Sequence, residues 1–197
     1  MVFSLLRGLF FQPQKTITEV VEQRRFEQAS RLGFTLVVVL MMNTAFFVGS
    51  NPALDQTMGE NGKWLFVLLL PPLQYVVQRA VFLFACRAGL RLFASKKLPK
   101  DPLVIQEKRA RLRMLFPYTV FPMMILTLIA SFFTNRFIVD FFLLLGLIYS
   151  FLITAHGLRA IYDVPKAAAL WGPILVQFFI GVILSVLFFT FLATTMQ

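Results

Sequence analysis

The chain has one cysteine, one histidine and nine acidic residues in 197 positions, and each shortage closes off a class of function. Cys86 alone excludes an internal disulfide, and with no second cysteine and no histidine cluster there is nothing to build a thiolate or imidazole metal site. His156 is the only residue from which a histidine-bearing triad could be assembled, and no Gly-x-Ser-x-Gly elbow or phosphate-cradling glycine loop accompanies it. It lies where an apolar run meets a basic stretch, which points to an interfacial or helix-end role. Asp140 and Asp163 fall at opposite ends of that run, too far apart to share a proton or a metal. The chain is therefore expected to be no enzyme and to use no cofactor.

Charge is scarce as well. Charged residues make up 14% of the chain and hydrophobic ones 58%, including 24 Phe, whereas a soluble domain carries about 25% charged residues. Such a chain has too little polar surface to fold in water. Its net charge of +10 would suggest nucleic acid in a soluble protein. Here the charge adjoins bilayer-length apolar runs, so anionic lipid headgroups are the expected partner and nucleic acid is not.

What is abundant is basic charge in one place. Arg87, Arg91, Lys96, Lys97, Lys100, Lys108, Arg109, Arg111 and Arg113 lie between two long apolar segments, opposed only by Asp101 and Glu107. Short loops rich in Lys and Arg stay on the cytoplasmic side of a membrane. Residues 87–113 thus read as an inside loop and as candidate contacts to anionic lipid, a contact that added salt should weaken.

With that loop inside, five spans follow at about 32–49, 64–86, 114–133, 137–155 and 171–193, each long enough for a hydrocarbon core of ~30 Å. Sixteen of the nineteen Lys and Arg then lie inside and two, Lys63 and Arg136, outside, with Arg79 within a span. The predicted fold is all-α, a polytopic bundle of five transmembrane helices with the N-terminus cytoplasmic and the C-terminus outside. Pro71-Pro72 should kink span two, and Pro117 and Pro122 should make the first turns of span three irregular. Gly181 is expected to let span five approach a neighbour closely. Asp140, in the first turn of span four, is placed to pair with Arg136.

Residues 1–31 precede the spans as a cytoplasmic interfacial segment, and 32–197 form the transmembrane domain. Met1 to Phe11 is apolar apart from Ser4, Arg7 and Gly8, but its charge sits within the run and Gln12-Pro13-Gln14-Lys15 follows where a small-residue cleavage site should be. An interfacial helix is predicted rather than a cleaved signal. Thr16 and Glu19 read as a capping box. The stripe of Ile17, Val20 and Val21 is short for an amphipathic face, so this segment is expected to be a solvated connector.

Ionisable or amide groups inside the spans are the functional candidates. They are Asn43, Gln74, Gln78 and Arg79. The arginine lies ~8 Å from the inner interface at 1.5 Å per residue, near enough for its side chain to snorkel; burial beside Gln74, Tyr75 or Gln78 is the alternative.

Three stretches carry a family resemblance: residues 8–16, Gly-Leu-Phe-Phe-Gln-Pro-Gln-Lys-Thr; residues 117–122, Pro-Tyr-Thr-Val-Phe-Pro; and residues 157–167, which start Gly-Leu and end Lys-Ala. Together with the five-span layout they resemble the Yip (Ypt-interacting protein) family in its compact prokaryotic form. The matching positions are Pro117, Tyr118, Pro122, Gly157 and Lys166, with Pro117 standing where the family usually has Gly. Eukaryotic members bind small GTPases through a long N-terminal region that this sequence lacks, so GTPase binding is not expected. For the prokaryotic members the resemblance implies a fold more than an activity. A scaffold or accessory subunit, docking with integral membrane proteins or as a homo-oligomer, is the leading functional expectation. The alternative is a transporter or channel component with a polar path near Asn43, Gln74 and Arg79, and a lipid-modifying enzyme lacks the residues it would need. A bacterial inner membrane is the expected location, with an early secretory membrane as the alternative.

Overall fold

The structure, a computed structural model, describes the backbone of residues 2–49 and 52–195, and the side chains of 7–46, 48–49, 59, 61–186 and 190. Seven α-helices account for almost all of it: α1 (Val2–Phe11), α2 (Pro13–Glu22), α3 (Phe26–Gly49), α4 (Pro52–Ala94), α5 (Pro102–Ala130), α6 (Arg136–Tyr162) and α7 (Lys166–Thr195). No strand occurs among the described residues. Helices α3 to α7 are each long and apolar enough to cross a membrane. In lipid a helix is the one open structure that bonds all its own backbone groups. The chain is a polytopic integral membrane protein.

The helices run further than hydropathy alone predicts. The basic stretch 87–113 is mostly two helical extensions, since α4 continues to Ala94 and α5 starts at Pro102 with only a 3-10 turn, Ser95–Lys97, and four residues between them. Arg and Lys are strong helix formers, so the helices persist beyond the apolar runs. Asp101 then caps α5, its carboxylate accepting from Leu103 N at 2.9 Å, and Pro102 takes the first helical position, where no backbone donor is lost. The expected outside loop 50–63 is likewise helical from Pro52, with a break at Gly59 (φ 62°, ψ 170°), a conformation open to glycine. Ser50 and Asn51, and the side chains of Asp55 and Glu60, lie outside the described residues.

Helix α4 runs through Pro71 and Pro72 without a non-helical residue, and α5 runs through Pro117 and Pro122, both buried. Helix α2 begins on Pro13, after Gln12, and not on a Thr16 cap. Asn135 caps α6 by accepting from Phe137 N at 2.9 Å, and Arg136 pairs with Asp140 as expected, at 3.9 Å and in full exposure.

The five long helices close a ring in the order α3, α4, α7, α6, α5 and back to α3, with a lesser α4–α5 contact across it. Glycine permits the tightest step. At Gly89 of α4 an added Cβ would collide with the backbone of Gly172 in α7, and one on Gly172 would lie 3.0–3.1 Å from the backbone of Gly89. Gly181, expected to make such a contact, has open space around it instead. On the other side of the ring a Cβ on Gly146 of α6 would lie 2.9 Å from Met123 Cα of α5. The small residues bring backbones together where larger side chains would hold them apart.

Helices α1 and α2 are no solvated connector. Leu9, Ile17, Val20 and Val21 are buried, and α2 packs against α6. The three-residue stripe suffices because the face it meets is itself apolar. Phe10 reaches further, stacking edge-on to Tyr149 with ring centroids 5.3 Å apart and accepting a hydrogen bond from its hydroxyl at 3.2 Å. Tyr149 lies seven residues along α6 from His156, roughly 10 Å into the span. At the turn into α3, Arg24 (φ 48°) pairs with Glu107 of α5, which Arg111 also meets at 2.7 Å.

Gly89→Val should lower stability by roughly 1–3 kcal/mol through overpacking against Gly172. Thermal unfolding in detergent should show this as a clear fall in midpoint, whereas Gly181→Leu should leave the midpoint unchanged or higher.

Candidate functional site: an amide-lined cavity inside the ring

Within the ring all five long helices line a cavity of about 560 Å³. Among the described residues its walls carry no Asp, Glu, Lys, Arg or His. Phe82 of α4 and Phe116 of α5, with ring centroids 5.3 Å apart, both line it and meet across the ring.

The lining polar groups fall into two sets. Thr119, Thr127 and Thr154 donate to carbonyls of their own helices, at 2.7 Å to Phe116 O, 2.8 Å to Met123 O and 2.8 Å to Ser150 O. These hydroxyls are satisfied and ask for nothing from a ligand. Asn43, Gln74, Gln78 and Gln177 are different. None of the four side-chain amides has a hydrogen-bond partner among the described residues, and the buried Ser150 Oγ has none either. Each amide offers two donors and an accepting oxygen. The cavity thus presents hydrogen-bonding capacity of both kinds, no charge, and walls that are otherwise aliphatic and aromatic.

Three of these amides were predicted from their place in apolar runs. Gln177 was not, although it gives the same signal as the one amide in the apolar stretch of α7. Arg79, grouped with them from sequence, belongs elsewhere. Gln74 and Gln78 are four residues apart and share a face of α4, whereas Arg79 is one position further and about 100° round the helix, on the face of Tyr75. Tyr75 and Arg79 line a separate groove of about 500 Å³ between α3, α4 and α5, together with Arg113. Neither arginine has an ion-pair partner among the described residues, and the shared groove sets Arg79 beside a residue of the basic end. The polar path expected near Asn43, Gln74 and Arg79 therefore divides.

No protein-family model, no curated protein and no solved structure matches the chain.

The nine basic residues also divide. Lys96, Lys97 and Lys100 are exposed, Arg111 is paired with Glu107, and Arg113 is in the groove with Arg79. Lys108 Nζ sits 5.4 Å over the Tyr162 ring, and Arg87, Arg91 and Arg109 gather beside the same tyrosine. Most of the positions that carry the family resemblance are packed in the bundle. Pro117, Tyr118 and Pro122 are buried, and Gly157 lies so close to Leu115 that a Cβ would overlap it. Lys166 opens α7 at the surface. His156 is half-buried and faces α2 across a shallow cleft formed by Gln12 to Lys15, Thr18 and Glu19. Among the described residues no three His, Cys, Asp or Glu side chains gather to hold a metal.

A buried hydroxyl without a partner costs roughly 1–3 kcal/mol. Ser150→Ala should therefore raise the unfolding midpoint of the ligand-free protein in detergent, or leave it unmoved, rather than lower it.

Proposed function

We propose that this chain is a non-catalytic membrane protein that binds an uncharged, hydrogen-bonding, largely apolar molecule inside the ring and serves in its transfer through or within the bilayer. The observation that carries this reading is the convergence of four unpartnered side-chain amides, from α3, α4 and α7, on one cavity. Asn43 and Gln177 are half-buried and Gln74 and Gln78 exposed in the protein alone, and in a bilayer, where no water reaches an outward-facing side chain, an amide left unbonded costs several kcal/mol. Four of them around one space are a poor design for a protein that only packs, and a good one for a protein that receives a partner. The volume falls within the range of about 300–1,000 Å³ usual for small-molecule sites. The lack of charged groups in the walls argues against bare ions and for a neutral ligand.

Other features fit a compact prokaryotic member of the Yip family. The excess of Lys and Arg at the end shared by α1, α2 and the α4–α5 turn supports a cytoplasmic position for that end, with the C-terminus of α7 on the far side. A bacterial inner membrane is the location that suits this layout. A pure docking role ranks second, because a scaffold has no need of free amides within its ring.

The test is to purify the tagged chain in mild detergent and identify what it retains by native mass spectrometry and solvent extraction. The wild type should carry one uncharged small molecule at near one-to-one ratio. Asn43→Ala with Gln74→Ala should lose it while eluting as the same monodisperse species. A wild type that carries no small molecule but travels with a second membrane protein in fixed ratio would overturn the transfer reading and restore the accessory-subunit one.

A further inference from the structure

Three guanidinium groups converge at the basic end of the ring where no carboxylate among the described residues meets them. Arg87 and Arg91, one turn apart on α4, and Arg109 on α5 line a small cavity of about 120 Å³, walled by Leu90, Leu98 and Tyr162. None of the three arginines has an ion-pair partner among the described residues. The nearby acids are committed elsewhere, Glu107 to Arg24 and Arg111, and Asp101 to the start of α5. Arg87 Nε is buried and donates to nothing. Lys108, over the face of Tyr162, adds a fourth cation beside the same space.

Bringing like charges together and shielding one of them from water is unfavourable unless an anion offsets it. We propose that this cavity is a binding site for a single phosphate group, held by the planar donor forks of Arg87, Arg91 and Arg109. Guanidinium forks match phosphate oxygens in pairs, which an ammonium does not. The space is well below the 300 Å³ or so at which small-molecule sites begin, so it admits one oxyanion and not a nucleotide. The phosphate belongs either to a lipid headgroup, for which Leu90 and Leu98 supply an apolar wall at the end of two spanning helices, or to free inorganic phosphate. This inference is independent of the amide-lined cavity, with which this one shares no lining residue.

The experiment measures binding of dioctanoyl phosphatidylglycerol and of inorganic phosphate to the detergent-purified full chain by titration calorimetry. It compares wild type with Arg91→Gln/Arg109→Gln and with Lys96→Gln/Lys97→Gln. Both double variants remove two exposed positive charges, so folding should persist in each, as an unchanged unfolding midpoint would show. One-to-one binding is expected in the wild type, weakened roughly tenfold or more by the arginine pair and less than about twofold by the lysine pair. Lipid binding that millimolar phosphate does not displace identifies the headgroup as the source. Comparable binding of inorganic phosphate, with displacement of the lipid, identifies free phosphate. Equal weakening by the two double variants, or no one-to-one binding of either probe, would overturn the site.

Discussion

The contact on which the ring depends is backbone against backbone, Gly89 of α4 on Gly172 of α7. In lipid there is no hydrophobic drive to bring two apolar helices together, so association rests on close packing over an extended seam. Side chains at those two positions would push α4 and α7 apart. The ring would then open on the side that carries Gln74, Gln78 and Gln177. On the opposite side Gly146 lets α6 approach α5 in the same way. Glycine placement thus decides which helix pairs close up around the half-open cavity that all five line.

Enclosure gives the polar residues their meaning. An amide that faces lipid is a liability, while one that faces a cavity wide enough for water or a ligand is usable. Asn43 comes from α3 and Gln177 from α7, and nothing in their local sequence says that they share a space. The threonines of the same walls show the contrast, since each has turned its hydroxyl back to its own helix. The basic end solves a different problem with the same economy. Glu107 pairs with both Arg24 and Arg111 and so holds the α2–α3 turn to α5, which leaves Arg87, Arg91 and Arg109 without a counter-charge of their own among the described residues.

Much of this was legible in the sequence, and the misses have physical causes. The five spans followed from hydropathy, and Asn43, Gln74 and Gln78 stood out as amides in apolar runs. Helical continuation through 87–94 and from 102 was hidden because a charge-rich stretch looks like a loop to hydropathy, although Arg, Lys and Glu favour helices. Arg79 stood with the amides as an ionisable residue inside a span, with snorkelling to the inner interface as the leading expectation, and the angle round α4 sets it apart from Gln78 in a groove shared with Arg113. Gly181 drew attention through its place in span five, while the contact fell at Gly172 because only the partner helix decides which glycine is used. The burial of Ile17, Val20 and Val21 depended on an apolar face of α6 that no local pattern reveals.

The most direct test of the central claim, that the ring encloses a polar, hydrated space, is the reactivity of single introduced cysteines toward N-ethylmaleimide in native membranes. Alkylation needs the thiolate, which forms where water reaches the sulfur and not in hydrocarbon. Cys86 is buried and supplies a silent background. Gln177→Cys should react readily and lose its reactivity when Gly181→Leu fills the cavity, whereas Phe178→Cys and Phe179→Cys, at adjacent outward-facing positions, should react slowly. Equal reactivity at the three positions, or a Gln177→Cys thiol as inert as its neighbours, would contradict an enclosed polar cavity.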